Sequence, residues 1–194
     1  MGDHLEIEDK FDVDPGFTLP DLTVVPGVAT VAGPDVYRLT AVYYDTPDLR
    51  LNARKITLRR RTGGTDAGWH LKLPATLGRR EYQEPLADQV PARLADLIAD
   101  IAAADALAPI ATLSTERRIL VLRSPDGSDL AEVADDTVTA SRHGSASGAV
   151  TWREIEVELR DSESVVMEGI GKALTDAGAR TAGSGSKLGR LLSV

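Results

Sequence analysis

A chain of 194 residues that is 42% hydrophobic and 27% charged can bury a substantial core and is too apolar to be disordered. Its formal net charge of −8 argues against general nucleic-acid binding, which needs a basic surface, and an aromatic content of 4% argues against stacking platforms for single strands. Without cysteine there is no disulfide, thiolate metal site or cysteine nucleophile. An acidic protein can still hold a small anion, because a cleft lined locally by Arg and Lys focuses their field. No apolar run is long enough to cross a bilayer, and the N-terminus lacks a basic-then-apolar leader pattern. The sequence therefore predicts a cytoplasmic protein with no membrane and no nucleic-acid partner.

The first strand is predicted at residues 4–11, where Glu6, Glu8 and Lys10 share one face and Leu5, Ile7 and Phe11 the other. Residues 17–35, punctuated by Pro20, Pro26, Gly27, Gly33 and Pro34, read as loop. A β-branched and aromatic strand follows at 36–44 and ends in the turn residues Asp45 to Asp48. Strands at 54–62 and 68–74 flank Gly63-Gly64-Thr65-Asp66, a hairpin signal, with a further strand at 80–86. Between 90 and 107 the apolar period becomes helical through Leu94, Leu97, Ile98 and Ile101. Strands at 113–123 and 129–139 flank the turn at 125–128, and a long strand spans 149–160. A helix carrying Val166, Ile170 and Leu174 is capped by Ser162 or Ser164 and ends near Gly178. A Gly/Ser hinge at 182–185 precedes Ser186-Lys187. This order predicts an α+β architecture, mostly antiparallel, as a single domain over 1–194.

The charged alternation of the first strand recurs. Arg59 and Arg61, His70 and Lys72, and Glu154, Glu156 and Glu158 each occupy one face of a strand whose other face is largely apolar. A sheet whose charged faces line an interior requires this pattern, since inward and outward positions alternate on every strand of a barrel. The ordered set Glu6-x-Glu8-x-Lys10, Tyr44-Asp45-Thr46, Arg59-x-Arg61, Lys72 before Pro74, Arg117-Arg118, Asp135-Asp136, Glu154-x-Glu156-x-Glu158 and Ser186-Lys187 resembles the CYTH superfamily, the triphosphate tunnel metalloenzymes, over almost the whole chain.

The resemblance implies an about eight-stranded, closed β-barrel, a tunnel with a charged interior and a few flanking helices. It implies that Glu6 and Glu8, together with the late glutamates, hold Mg²⁺ or Mn²⁺, hard cations suited to carboxylate and phosphate oxygens. Asp135 or Asp136 would add a ligand, with spacing from Glu132 favouring Asp136, and Glu156 and Glu158 are the favoured pair of the late three. Around a triphosphate it places Lys10, Arg59, Arg61, Lys72 and Lys187, because Arg donates two parallel hydrogen bonds to phosphate and Lys acts as a point charge. Only one of Arg117 and Arg118 can face inward from a regular strand, and Arg117 is preferred. Arg79 or Arg80 is a further candidate, with Glu81 as its ion-pair partner, while His4 and His70 read as ordinary polar neighbours. Glu6, Glu8, Lys10 and Lys187 form the expected catalytic group, and the segment bearing Lys187 is expected to close over substrate.

The function implied is metal-assisted hydrolysis of a phosphoanhydride bond in a linear triphosphate, most simply inorganic tripolyphosphate. Two other readings stand beside it. One is a polyphosphate- or nucleotide-binding module, the N-terminal part of a longer chain with a helical CHAD domain. The other is a class IV-type adenylate cyclase making cyclic AMP. A homodimer is also compatible with the resemblance.

Overall fold

Strands with charge on one face and hydrocarbon on the other can satisfy both faces by curling, apolar side outward beneath helices and charged side inward. The computed structural model, which describes residues 2–76, 78–160 and 164–193, has this arrangement. Its strands are β1 (Gly2–Glu6), β2 (Glu8–Val13), β3 (Thr30–Asp45), β4 (Thr57–Thr62), β5 (Gly68–Pro74), β6 (Arg79–Glu84), β7 (Ala108–Arg123), β8 (Asp129–Arg142), β9 (Val150–Leu159) and β10 (Arg180–Thr181). Its α-helices are α1 (Ala92–Asp96), α2 (Ser164–Asp176) and α3 (Lys187–Leu192). All ten strands join one sheet, in the order β1-β6-β5-β4-β3-β7-β8-β9-β2-β10, and every neighbouring pair is antiparallel.

The expected closed barrel of about eight strands is therefore corrected to an open sheet of ten. The reason lies in the first strand, which is two strands separated at Ile7. β1 pairs with β6, whereas β2 pairs with β9, so one continuous segment serves both flanks of the sheet. The Ile7 carbonyl accepts from the Leu159 amide at 3.1 Å, and β10 occupies the remaining edge of β2. Among the described residues no ladder joins β1 to β10.

Three apolar clusters carry the packing. The largest lies under α2, where Val166, Met167, Ile170 and Leu174 meet Phe11, Val133, Ile155 and Val157 from the outward face of β2, β8 and β9. The second lies under α1 and joins Leu94 and Ile98 to Leu58, Trp69 and Leu71 of β4 and β5. The third is on the inward face: Leu188 and Leu191 of α3 pack on Ala41, Leu113 and Val138, so α3 covers one end of the charged interior. Because Ile155 is fully buried against α2, Ile155→Ala is expected to lower unfolding stability by about 2–5 kcal/mol, read from the urea midpoint at unchanged slope.

Several boundaries move for identifiable reasons. The long helix expected over 90–107 is only α1, followed by turns and a 3-10 turn at Ala104–Ala106, because the apolar residues are anchored singly on the sheet. β3 begins at Thr30 rather than 36, accommodating Pro34 at a register shift between Ala32 and Asp35, where a ladder donor is not needed. Of the two expected caps of α2, Ser162 lies outside the described residues. The helix ends before Gly178, whose φ of 103° suits glycine.

Candidate active site

The inward faces of β1 to β9 surround a cavity of about 280 Å³, closed at one end by Ser186 and Lys187. Strand register sorts its lining into ranks. Glu8, Glu158 and Glu132 lie directly opposite one another across β2, β9 and β8; two residues on come Lys10, Glu156 and Ala134; two further on, Glu154, Asp136 and Arg117. On the other wall Tyr43, Arg59, His70 and Gln83 form one rank, and Thr57, Lys72, Glu81 and His4 the adjacent one. Acids thus concentrate on β2, β8 and β9, and cations on β4, β5 and β7.

At the closed end Lys187 is the first residue of α3, whose N-cap Ser186 accepts from the Gly189 amide at 2.9 Å. Its ammonium lies 2.9 Å from Asp136, 2.7 Å from Glu154 and 2.7 Å from Glu156. Arg117 donates to Asp136 through Nε at 2.8 Å and Nη2 at 2.6 Å, and to Glu156 at 2.6 Å. Lys10 bridges Glu8, at 2.8 Å, and Glu156. Burial alone would neutralise these groups. Instead, Lys10, Lys187 and Arg117 hold the Glu156 carboxyl well below its ordinary range, and Lys187 with Arg117 does the same for Asp136. The reciprocal effect of Asp136, Glu156 and Glu154 outweighs burial at Lys187 and raises its pKa.

Nearer the N-terminal strands, Lys72 contacts both oxygens of Glu6 at 2.5 Å and Glu81 at 3.4 Å. Glu158 is different in kind. Burial and the charges of Glu6 and Glu132 raise its pKa, against the pull of Arg160 at the rim. Lys72 holds Glu6, Lys10 holds Glu8 and Arg160 holds Glu132 at 2.6 Å, which leaves Glu158 the least compensated acid here, whereas at the closed end Lys187 already fills the centre of the carboxylate group. Asp136, Glu154 and Glu156 have ligand oxygens within 4.8 Å of one another and could hold an ion only if Lys187 withdrew. The rank of Glu8, Glu158 and Glu132, with Glu6, has the donor chemistry for a hard divalent cation and a repulsion that such an ion would relieve.

The basic wall is short of anion. Arg61 is buried and Arg59 half-buried, and the buried Nε of each has no hydrogen-bond partner among the described residues. Among the described residues Arg59 reaches only the Tyr43 hydroxyl, at 3.4 Å. Arg61 contacts Asp66 of the β4–β5 hairpin, yet burial and the nearby Arg59 and Arg117 push its pKa down to about 9. Guanidinium groups assembled this way, with only the half-exposed Asp66 carboxylate against them among the described residues, have the donor chemistry for a polyanion.

Glu6, Glu8, Lys10, Arg59, Arg61, Lys72, Arg117, Glu156, Glu158 and Lys187 all line this cavity, and Asp136 lies fully buried behind Arg117 and Lys187. Arg118 points outward, with its side chain 57% exposed beside Glu116, and Asp135 pairs with Arg153 on the outer face. Glu81 does not pair with Arg79 or Arg80. It accepts from His70 Nδ1 at 2.5 Å, while Arg80 pairs with Asp3 and Arg79 reaches the Lys55 carbonyl and Thr57. His70, an ordinary polar neighbour by sequence, takes a more specific place. It is buried in the wall, where burial first and then Arg59 and Arg61 lower its pKa to about 4. Glu154, outside the favoured late pair, completes the group around Lys187. Its alternation with Glu156 and Glu158 was the available signal. Asp66 and Glu132 also join the lining; Glu132 shares the face of Asp136 by period-two spacing, whereas Asp66 is revealed only by the hairpin geometry.

Comparison with known proteins agrees with the geometry. The CYTH domain model matches residues 4–188. The uncharacterised proteins MT2285 and Rv2226 of Mycobacterium tuberculosis are each 42% identical over 206 aligned positions, which cover 97% of this chain but 40% of theirs. A candidate adenylate cyclase from Bacillus halodurans, bh2851, is similar in structure with a TM-score of 0.70 and 22% identity, covering 98% of both chains. HpAC1 from Hippeastrum, a candidate adenylyl cyclase with a dominant triphosphatase activity, has a TM-score of 0.61 at 18% identity, over 97% of this chain and 96% of that one. These two likenesses concern the fold. Matched over nearly its whole length, and with the ordered charges of that family facing one cavity, the chain belongs to the CYTH domain family.

Proposed function

We propose that this chain is a metal-dependent hydrolase of linear triphosphates, with inorganic tripolyphosphate as the simplest substrate. The observation that carries the reading is the pair Arg59 and Arg61, half-buried and buried, whose Nε donors lack partners among the described residues and which face a wall of acids across one cavity. Arg59 and Arg61 grip terminal phosphate oxygens, and Arg117 and Lys72 stabilise charge on the transferring group. Glu6, Glu8 and Glu158, with Glu132 beside them, would hold Mg²⁺ or Mn²⁺, which when bound offsets phosphate charge and polarises the phosphorus centre. Lys187 and Lys10 keep Glu156 ionised and fix the closed end, so that a water held by the cavity carboxylates meets the phosphate in line. An aromatic content of 4% favours a substrate without a ring to stack.

The test is orthophosphate release from tripolyphosphate, ATP and thiamine triphosphate with Mg²⁺, Mn²⁺ or Ca²⁺. Tripolyphosphate should be cleaved fastest, and Glu8→Gln should lower kcat by about 10²-fold or more while leaving the fold intact. Cyclic AMP formed from ATP without orthophosphate would replace this reading with that of a cyclase. Tight binding of tripolyphosphate without turnover under any of the three metals would replace it with a binding module.

A further inference from the structure

We propose that Asp66 is an internal stand-in for phosphate on Arg61, and that the need to displace it sets the threshold an anion must pass to enter the cavity. This rests on the triphosphate reading of the site. Arg61, with its side chain 6% exposed, meets a single carboxylate among the described residues, and that is Asp66, whose side chain is 45% exposed. The asymmetry matters. A buried guanidinium that loses its counter-charge is left stranded, whereas a half-exposed carboxylate that swings away returns to water at little cost.

The hairpin is built so that the side chain, and not the loop, does the moving. The Asp66 carbonyl accepts from Gln83 Nε2 at 3.2 Å, which ties the backbone to β6. Gly63 and Gly64 have φ of 80° and 72°, and a Cβ on Gly63 would stand 2.1 Å from the Arg38 carbonyl oxygen. A Cβ on Gly64 would stand 2.7 Å from Leu39 Cδ2. Gly64, Thr65 and Asp66 all lie on the cavity lining.

An anion that reaches only Arg61 exchanges one ion pair for another and gains little. One that spans Arg61 and Arg59 together recovers the displacement and adds a second guanidinium. Asp66 thus acts as a selectivity residue favouring extended polyanions over single phosphates.

Titration calorimetry with inorganic tripolyphosphate alone, and separately with orthophosphate, tests this on the whole chain. Asp66→Asn and Asp66→Ser should each bind tripolyphosphate at least fivefold more tightly than the parent and bring orthophosphate binding into range. Asp66→Glu should behave as the parent, and Arg61→Met should erase the gain when combined with Asp66→Asn. With metal present, KM should fall and kcat should not rise. Unchanged or weaker binding in both Asp66 variants, while the parent binds, overturns the stand-in and leaves the triphosphate site in place. An equal gain from Asp48→Asn, an exposed aspartate beside Arg50, would also overturn it by exposing a long-range charge effect. If neither parent nor variants bind tripolyphosphate, the anion-site reading and this inference fall together.

Discussion

Replacing Lys187 with methionine is expected to destabilise the chain by about 3–5 kcal/mol at neutral pH, the range for removing one partner of a buried charge network. The side chain is 8% exposed, and its ammonium stands at the centre of Asp136, Glu154 and Glu156. Methionine preserves much of the volume, so the loss reports charge and not a cavity. The pH dependence has a definite sign. Asp136 and Glu156 are held below their ordinary values of 3.8 and 4.5, so the stability they contribute is present above those values and disappears as pH falls through the lower folded values. Without Lys187 the depression shrinks, and the gap between parent and variant should close toward pH 3. A second readout separates charge from packing. The vacated carboxylates lie within 4.8 Å of one another, so Mn²⁺ should raise the melting temperature of Lys187→Met more than that of the parent. A variant as stable as the parent at pH 7, or indifferent to Mn²⁺, would remove Lys187 from the role assigned to it.

The second large effect runs in opposite directions for activity and stability. Arg61→Met is expected to lower kcat/KM for tripolyphosphate by about 10²–10³-fold, as for loss of a preorganised donor at developing charge. The same substitution should stabilise the free protein by about 1–3 kcal/mol, since a buried cation crowded by two others is replaced by hydrocarbon. In the folded chain burial, then Arg59 and Arg117, push the Arg61 pKa down to about 9, the direction expected of a cation whose charge costs the fold stability. An Arg61→Met variant less stable than the parent, or one that keeps the parent's kcat/KM for tripolyphosphate, would contradict the assignment.

Much of this site is legible in period-two alternation alone, because a strand fixes which residues share a face whatever its partners. Glu6, Glu8, Lys10, Arg59, Arg61, Lys72, Glu156 and Glu158 fall on one side by that rule. Choosing between neighbours needs the partner strand. Arg117 is set inward by its register with Asp136, and Arg118 goes outward with Asp135, a pairing that local sequence does not specify. Glu132 enters the acid rank only through its position opposite Glu158. His70 reads as an ordinary histidine until Glu81 is known to stand beside it. The closed barrel failed for a topological reason, since nothing in residues 4–11 announces that Ile7 divides two pairings. The overlong helix failed because the spacing of Leu94 to Ile101 is met equally well by turns that each drop one side chain onto the sheet.

That division at Ile7 bears on how the chain acquires its shape. Gly2 to Glu6 find their partners some eighty residues downstream, at 79–83, and Glu8 to Val13 find theirs at 153–158. Such distant pairing carries a large loop-closure entropy and a slow approach to the native state. During synthesis β2 must remain without its main ladder until the ribosome has released β9, leaving Phe11 and Val13 open to other hydrophobic surfaces in the meantime. Removing the first dozen residues would withdraw a seam from both flanks of the sheet at once.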